Sequence, residues 1–168
     1  ALLKQADNLY NLGRYDESAE VYRRITREYE DSAEAGEAQY SIGLTYFQRN
    51  RLDEYLAECR EVAARHPGTR QSALALQGAA AILVEQERFD EAAAIQKQLL
   101  ADYASFVDTQ LIQFRLGETL LAAEDYGAAE TVLQGLFDTA PRGRHGADAA
   151  LALATIALER GDDAAASE

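Results

Sequence analysis

The sequence predicts an all-α fold: an α-solenoid in which about four and a half antiparallel helical hairpins stack on one another. Two observations lead to this prediction. Several series of similar residues recur with a step of 37 residues, and a fixed step of this size is typical of repeat architectures. Alternating polar and apolar residues, which would indicate β-strands, are absent, and the apolar residues are mostly Ala and Leu, which favour helix.

Four series carry the repeat. The first contains the large residue that opens each second helix, at Tyr15, Leu52, Phe89 and Tyr126. The second contains the small residue at which the first helix crosses its partner, at Ala6, Gly43, Ala80, Gly117 and Ala154. Two apolar series follow the same step, namely Leu9, Tyr46, Leu83, Leu120 and Ile25, Val62, Leu99, Leu136. A small residue in a buried stripe allows close packing of two helices, and one hairpin must stack on its neighbours to bury that stripe.

These series divide the chain into hairpin units. We expect one domain over 1–168, with units at about 1–32, 33–69, 70–106 and 107–143 and an incomplete unit at 144–168. Pro67 and Pro141 end the second and fourth units, because proline cannot continue a helix. Gly13 suits a left-handed helix cap, Ser32 or Asp31 is expected to cap the next helix, and Asp163 is expected to open a last helix. Since Ala1 lies inside a helical pattern, we expect the chain to be a segment of a longer protein.

The fourth unit carries the most complete motif, with Leu116-Gly117, Leu120, Tyr126, Ala129, Leu136 and Pro141. It resembles the tetratricopeptide repeat (TPR) family, as does the second unit, which departs from the family pattern at the bulky Tyr55. The resemblance implies a right-handed solenoid. The unit of 37 residues, against a usual length of about 34, is similar to the longer bacterial variety. That likeness implies a cell-envelope or periplasmic location, and the cytoplasm stays an open alternative.

The net charge of −13 bears on the class of partner. Nucleic acid and anionic membrane surfaces require a basic footprint, so we expect neither as a partner. No run of about 20 apolar residues predicts a transmembrane helix. Three explanations of the acidity stay open: a solvated outer face, attraction to a basic partner, or a high-salt habitat.

No residue pattern predicts catalysis, a cofactor or a metal site. Metalloprotease, phosphate-loop and nucleophile-elbow motifs are absent. His66 and His145 lie at links between units, where we expect solvated side chains. For Asp162-Asp163 we expect a structural role rather than metal binding. Cys59 is the only cysteine and is expected to be a small buried apolar residue. We therefore expect a protein that is not an enzyme.

In the family that the chain resembles, the first helices line a concave groove that receives partners. The repeat phase assigns this groove to Tyr10, Asn11, Tyr40, Leu44, Phe47, Gln48, Gln77, Glu85, Phe114, Arg115 and Glu118. Its aromatic residues suggest binding hot spots, although packing against an adjoining helix or the next unit is an equally good interpretation. Gly78 and Ala81 are expected to widen the groove at its centre.

The predicted function is that of a scaffold that binds a partner protein or peptide in this groove. The carboxylate clamp of chaperone adaptors in the family is absent, because its positions hold Leu3, Asp7, Ser41, Leu74 and Gly78. Two alternatives stay open. The chain ends could mediate homo-oligomerisation, since α-helical residues near Leu151 are apolar on more than one side, or the segment could be a non-catalytic module of a larger enzyme or sensor.

Overall fold

The computed structural model describes residues 1–30 and 32–161, so the predictions made for Asp31, Asp162 and Asp163 lie outside the described residues. The described residues form nine α-helices and a short 3-10 turn at Ala104–Phe106, with no strand, which confirms the all-α prediction. The helices are α1 Leu2–Asn11, α2 Tyr15–Glu28, α3 Ala33–Gln48, α4 Leu52–Arg65, α5 Arg70–Glu85, α6 Phe89–Asp102, α7 Thr109–Ala122, α8 Tyr126–Thr139 and α9 Gly146–Glu159.

The chain divides into two compact units, and the boundary between Ile82 and Leu83 lies within α5. In the first unit, α1 packs on α2, α2 on α3, and α3 on α4, while α1 also touches α3. In the second unit, α6 packs on α7, α7 on α8, and α8 on α9, while α7 also touches α9. Within each unit, the first helices of successive hairpins are therefore direct neighbours.

The turn inside each hairpin has one recurring backbone geometry. Its central residue has a positive φ every 37 residues, at Gly13, Asn50, Glu87, Glu124 and Gly161. At the first four of these turns the next backbone N–H donates back to a carbonyl five residues earlier, as from Arg14 to Leu9 at 2.9 Å. This bond is the 6→1 bond of a Schellman motif. Glycine adopts a positive φ without strain, whereas Glu87 and Glu124 adopt it although each carries a side chain.

An Arg–Glu pair follows this turn in the first three hairpins. The Arg Nε donates to the Glu carboxylate three residues later, at 2.7 Å for Arg14–Glu17, 2.9 Å for Arg51–Glu54 and 2.7 Å for Arg88–Glu91. In the fourth hairpin the same position holds Asp125, whose carboxylate accepts from the Ala128 backbone N–H and caps α8. Each device places a carboxylate at the positive end of a second helix.

The first unit has a core in which small residues face large ones. Its buried cluster contains Ala6, Tyr22, Ile25, Ala38 and Ile42. Polar groups inside it are hydrogen-bonded: the Ser18 hydroxyl donates to the Ala6 carbonyl at 2.8 Å, and the Tyr22 hydroxyl donates to the Asp7 carboxylate at 2.7 Å. Ser32 caps α3 by accepting from the Ala35 N–H, as predicted.

The second unit depends on one close helix crossing. Its buried cluster consists of Ala93, Leu116, Leu120, Ala129, Leu133, Leu136, Ala149 and Ile156. Gly117 on α7 lies against Leu133 on α8, and a Cβ placed on Gly117 would lie 2.4 Å from the Leu133 Cδ2 atom. The prediction that a small residue allows the two helices of a hairpin to approach is confirmed at this crossing.

The crossing yields a stability prediction. We expect Gly117→Ala to lower the free energy of unfolding by about 1–3 kcal/mol, since Leu133 must move in a packed core. Gly135→Ala is the matched control on α8, because nothing lies within 4 Å of its Cβ position. That control should be neutral or should stabilise by about 0.5–1 kcal/mol through helix propensity. Urea unfolding followed by circular dichroism measures the change in the free energy of unfolding for both substitutions. Equal changes would contradict the close contact between Gly117 and Leu133.

Candidate functional site

The first unit carries seven of the residues that sequence phase assigned to the groove. They lie on α1, α3 and α5, namely Tyr10, Asn11, Tyr40, Leu44, Phe47, Gln48 and Gln77, and we call them the unit-1 face. Asn11 and Gln48 are exposed, and the others apart from Phe47 are half-buried. Phe47 is 43% exposed, although it is a large apolar residue.

The aromatic side chains of this face also pack within their own hairpins. The ring of Tyr10 meets Tyr15 edge-on at a centroid distance of 5.3 Å, and Phe47 lies against Tyr55 at 5.3 Å. Burial raises the pKa of the Tyr40 hydroxyl. These side chains are held in place by their neighbours, so a partner would meet preordered rings at a low entropic cost.

Tyr55 and Gly78 have a role that the sequence analysis missed. A Cβ placed on Gly78 would lie 2.0 Å from the Tyr55 hydroxyl oxygen, so the tyrosine fills the space that the glycine leaves. Tyr55 is 4% exposed. The expectation that Gly78 widens a groove is therefore wrong, because the phenol of α4 occupies that space. Ala81 is exposed, as a groove position requires.

The second unit holds a cleft between α7 and α9, with a volume of about 530 Å³. The residues that line it are Phe114, Glu118, Leu121, Ala122, Asp148, Leu151, Ala152 and Thr155, and we call it the α7/α9 cleft. Of the four groove residues predicted in this unit, Phe114 and Glu118 line the cleft, whereas Arg115 and Glu85 are exposed outside its lining.

The cleft combines an apolar floor with carboxylates. Leu151 is 71% exposed. Desolvation raises the pKa of Glu118, and the Asp148 carboxylate raises it further, while Arg115 and His145 oppose these effects. Glu118 has no cationic side chain within ion-pair distance in residues 1–30 and 32–161. Arg115 therefore acts on Glu118 only from beyond ion-pair distance.

His145 lies beside two residues that line the cleft, Phe114 and Asp148. Its ring stacks on Phe114 with centroids 5.5 Å apart, and its Nδ1 atom lies 3.6 Å from the Asp148 carboxylate. Its side chain is 11% exposed, and neither ring nitrogen has a hydrogen-bond partner in the described part of the chain. The expectation that both histidines are solvated is wrong, since the His66 ring also packs over Gly36 at the start of α3.

Leu151 and Leu158 on α9 are binding-surface candidates that the sequence analysis did not assign to the groove. Adding the 37-residue step to Phe114 and Leu121 reaches Leu151 and Leu158. They are 71% and 58% exposed. The apolar surface near Leu151 is interpreted above as a contact of the chain ends, although the repeat phase places it with the groove residues.

The described residues offer little for catalysis or metal binding. They contain no group of three or more His, Cys, Asp or Glu side chains arranged to hold a metal ion. Burial raises the pKa of the Cys59 thiol to about 12, and the side chain is 1% exposed, so it is an inert core residue as expected. No helix within 1–30 and 32–161 has both the length and the hydropathy needed to span a bilayer.

Comparison with known proteins identifies the repeat. The model of the tetratricopeptide repeat family matches residues 3–70 and 78–142, which together make up most of the chain. The chain belongs to the tetratricopeptide repeat family. Repeats of this family generally mediate protein–protein interactions. No curated protein sequence matches the chain.

Solved structures agree with the TPR assignment. A tetratricopeptide repeat protein from Parabacteroides merdae superposes with a TM-score of 0.71 at 15% identity, covering 98% of this chain and 61% of that protein. MamA from Desulfovibrio magneticus RS-1 superposes with a TM-score of 0.66 at 14% identity, covering 99% of this chain and 87% of that one. At these identities the likeness shows the fold alone.

The packing of Tyr55 against Gly78, where this chain departs from the TPR pattern, can be tested by a double-mutant cycle. We expect Gly78→Ala to destabilise the wild type by about 1–3 kcal/mol, because the new Cβ collides with the Tyr55 hydroxyl. In a Tyr55→Phe background the nearest atom is the ring carbon at 3.2 Å, so the cost should fall by about 1 kcal/mol. Urea unfolding measures all four proteins, and an undiminished cost of Gly78→Ala in the Tyr55→Phe background would contradict this packing.

Proposed function

We propose that this TPR chain is a non-catalytic scaffold that binds a partner protein or peptide through the faces of its first helices. The observation that carries the proposal is the exposure of large apolar side chains at groove-phase positions in both units: Phe47 in the first, and Leu151 and Leu158 in the second. Exposed apolar patches rimmed by polar residues are typical of interaction sites.

The residues of the two faces would contribute different kinds of contact to a partner. Phe47, Phe114 and Leu151 supply apolar contact area, while Tyr10 and Tyr40 supply preordered rings. Asn11, Gln48 and Gln77 can hydrogen-bond to a partner backbone. Arg115, Glu85 and Glu118 would set the charge preference of the second unit. The two units are proposed as separate binding faces.

A peptide selection tests the proposal. A library of random peptides is displayed on phage and selected on the immobilised 168-residue chain. We expect binders whose affinity falls about tenfold or more in Phe47→Gln or Leu151→Gln, because truncating an interface anchor costs about 1–2 kcal/mol or more. Both changes place a polar side chain at an exposed position, so the fold should persist.

Ala57→Gln on α4 and Ala101→Gln on α6 are matched controls, since both positions are exposed and lie on second helices. Binders should retain their affinity for these controls. Recovery of no peptide, or of peptides that bind all four variants as tightly as the wild type, would refute the first-helix faces as binding surfaces.

Self-assembly is a second candidate function, favoured by the exposure of Leu151 and Leu158 on one helix. Sedimentation velocity distinguishes it: a dimer that a Leu151→Gln/Leu158→Gln variant dissociates would support it, whereas a monomer at high concentration would exclude it for this chain.

A further inference from the structure

The two compact units differ greatly in charge, although they share one repeat. Residues 1–82 contain 13 acidic and 10 basic residues, a net charge of −3, whereas residues 83–168 contain 16 acidic and 6 basic residues, a net charge of −10. The two units together account for the net charge of −13. The acidity is therefore concentrated in the unit that contains the α7/α9 cleft, and a general need for solubility does not explain that asymmetry.

The cleft carries negative charge next to apolar surface. Glu118 lies on α7, one turn after Phe114 and one turn before Leu121 and Ala122, so its carboxylate stands against the apolar floor. Asp148 faces the same cleft from the first turn of α9. Leu151 follows Asp148 by three residues and is 71% exposed. Two carboxylates and an exposed leucine therefore line the same cleft.

Two cationic groups, Arg115 and His145, lie near this pair and lower the pKa of Glu118. Arg115 is exposed on α7 and does not line the cleft, and Glu118 forms no ion pair within the described residues. His145 lies 3.6 Å from Asp148 and is a cation only when protonated. Desolvation raises the pKa of Glu118 although Arg115 opposes it, and a cation that entered the cleft would favour the charged form of this carboxylate.

We propose that the α7/α9 cleft selects a segment of another protein in which a Lys or Arg stands beside large apolar residues. The apolar residues would cover Leu121, Leu151 and Ala152, while the cationic group would lie between Glu118 and Asp148. Complementary charge fixes the register of such a segment and rejects acidic ones. This inference rests on the proposed function, because it names the partner chemistry of one of the two binding faces.

A second copy of the chain fits the cleft less well. A copy carries a net charge of −13, so its approach to the more acidic unit is repelled at low salt. A basic segment of another protein is attracted by the same electrostatic field. The apolar floor alone would accept either a second copy or a basic segment, but the charge of the cleft favours the basic segment.

The test uses the peptides selected on the wild-type chain and retains those that lose binding in Leu151→Gln. We expect these peptides to be enriched in Lys or Arg beside Leu, Ile, Phe or Tyr. Their affinity, measured by fluorescence anisotropy, should fall about tenfold in Glu118→Gln/Asp148→Asn and should weaken as salt rises. Asp102→Asn/Glu124→Gln is the matched control, since it removes the same charge at exposed positions outside the cleft.

The outcomes separate this inference from the proposed function. Leu151-dependent peptides that are neutral or acidic, or that bind Glu118→Gln/Asp148→Asn as tightly as the wild type, would overturn the inference and leave the scaffold function intact. An equal loss in the matched control would also overturn it, because net charge alone would then explain binding. A dimer dissociated by Leu151→Gln would make a second copy the occupant. Absence of any Leu151-dependent peptide would overturn binding at this face altogether.

One further variant guards against a folding defect. Asp148 lies in the first turn of α9, where a carboxylate favours the helix dipole, so its loss can weaken that helix. Glu118→Gln alone lies inside α7, where glutamine is a good helix former. It should retain the circular dichroism spectrum and still lose several-fold in affinity, and unchanged affinity would contradict the proposal.

Discussion

Each compact unit depends on the close approach of the two helices of a hairpin, α1 to α2 and α3 to α4 in the first unit and α7 to α8 in the second. At Gly117 the backbone of α7 comes so near to Leu133 on α8 that a single added carbon would not fit. The same position holds Ala6 and Gly43 in the first unit, and both are buried. Because this contact fixes how each first helix rotates against its partner, it also decides which residues of the first helix remain outside the hairpin and can meet another protein.

Most of the fold could be predicted because its signals are local and repeated. The second helices begin at Tyr15, Leu52, Phe89 and Tyr126, as the 37-residue step predicts, and Gly13 has the left-handed conformation expected of it. Periodicity of small and large residues is enough for this purpose, since each hairpin packs on its immediate neighbours. The same step also contained Leu151 and Leu158, so these two exposed residues could have been assigned to the binding face from sequence.

Other features required the three-dimensional arrangement. The fit of Tyr55 into the space above Gly78 joins residues from two helices, and no repeat position predicts it. The burial of His145 depends on Phe114, which lies 31 positions earlier in the sequence. The Arg–Glu pairs that begin the second helices have a recognisable three-residue spacing, but only the structure shows that the two side chains meet. Contacts between elements, rather than patterns within them, determine these details.

The most direct test is an amide chemical-shift titration of the isotopically labelled chain with a selected peptide whose binding depends on Leu151. We predict that the perturbed amides lie on α7 and α9, around Phe114, Glu118, Leu121, Asp148 and Leu151, because those side chains line the cleft. Perturbations confined to α8, the second helix of the same hairpin, would contradict the claim that the repeat presents its first helices to partners.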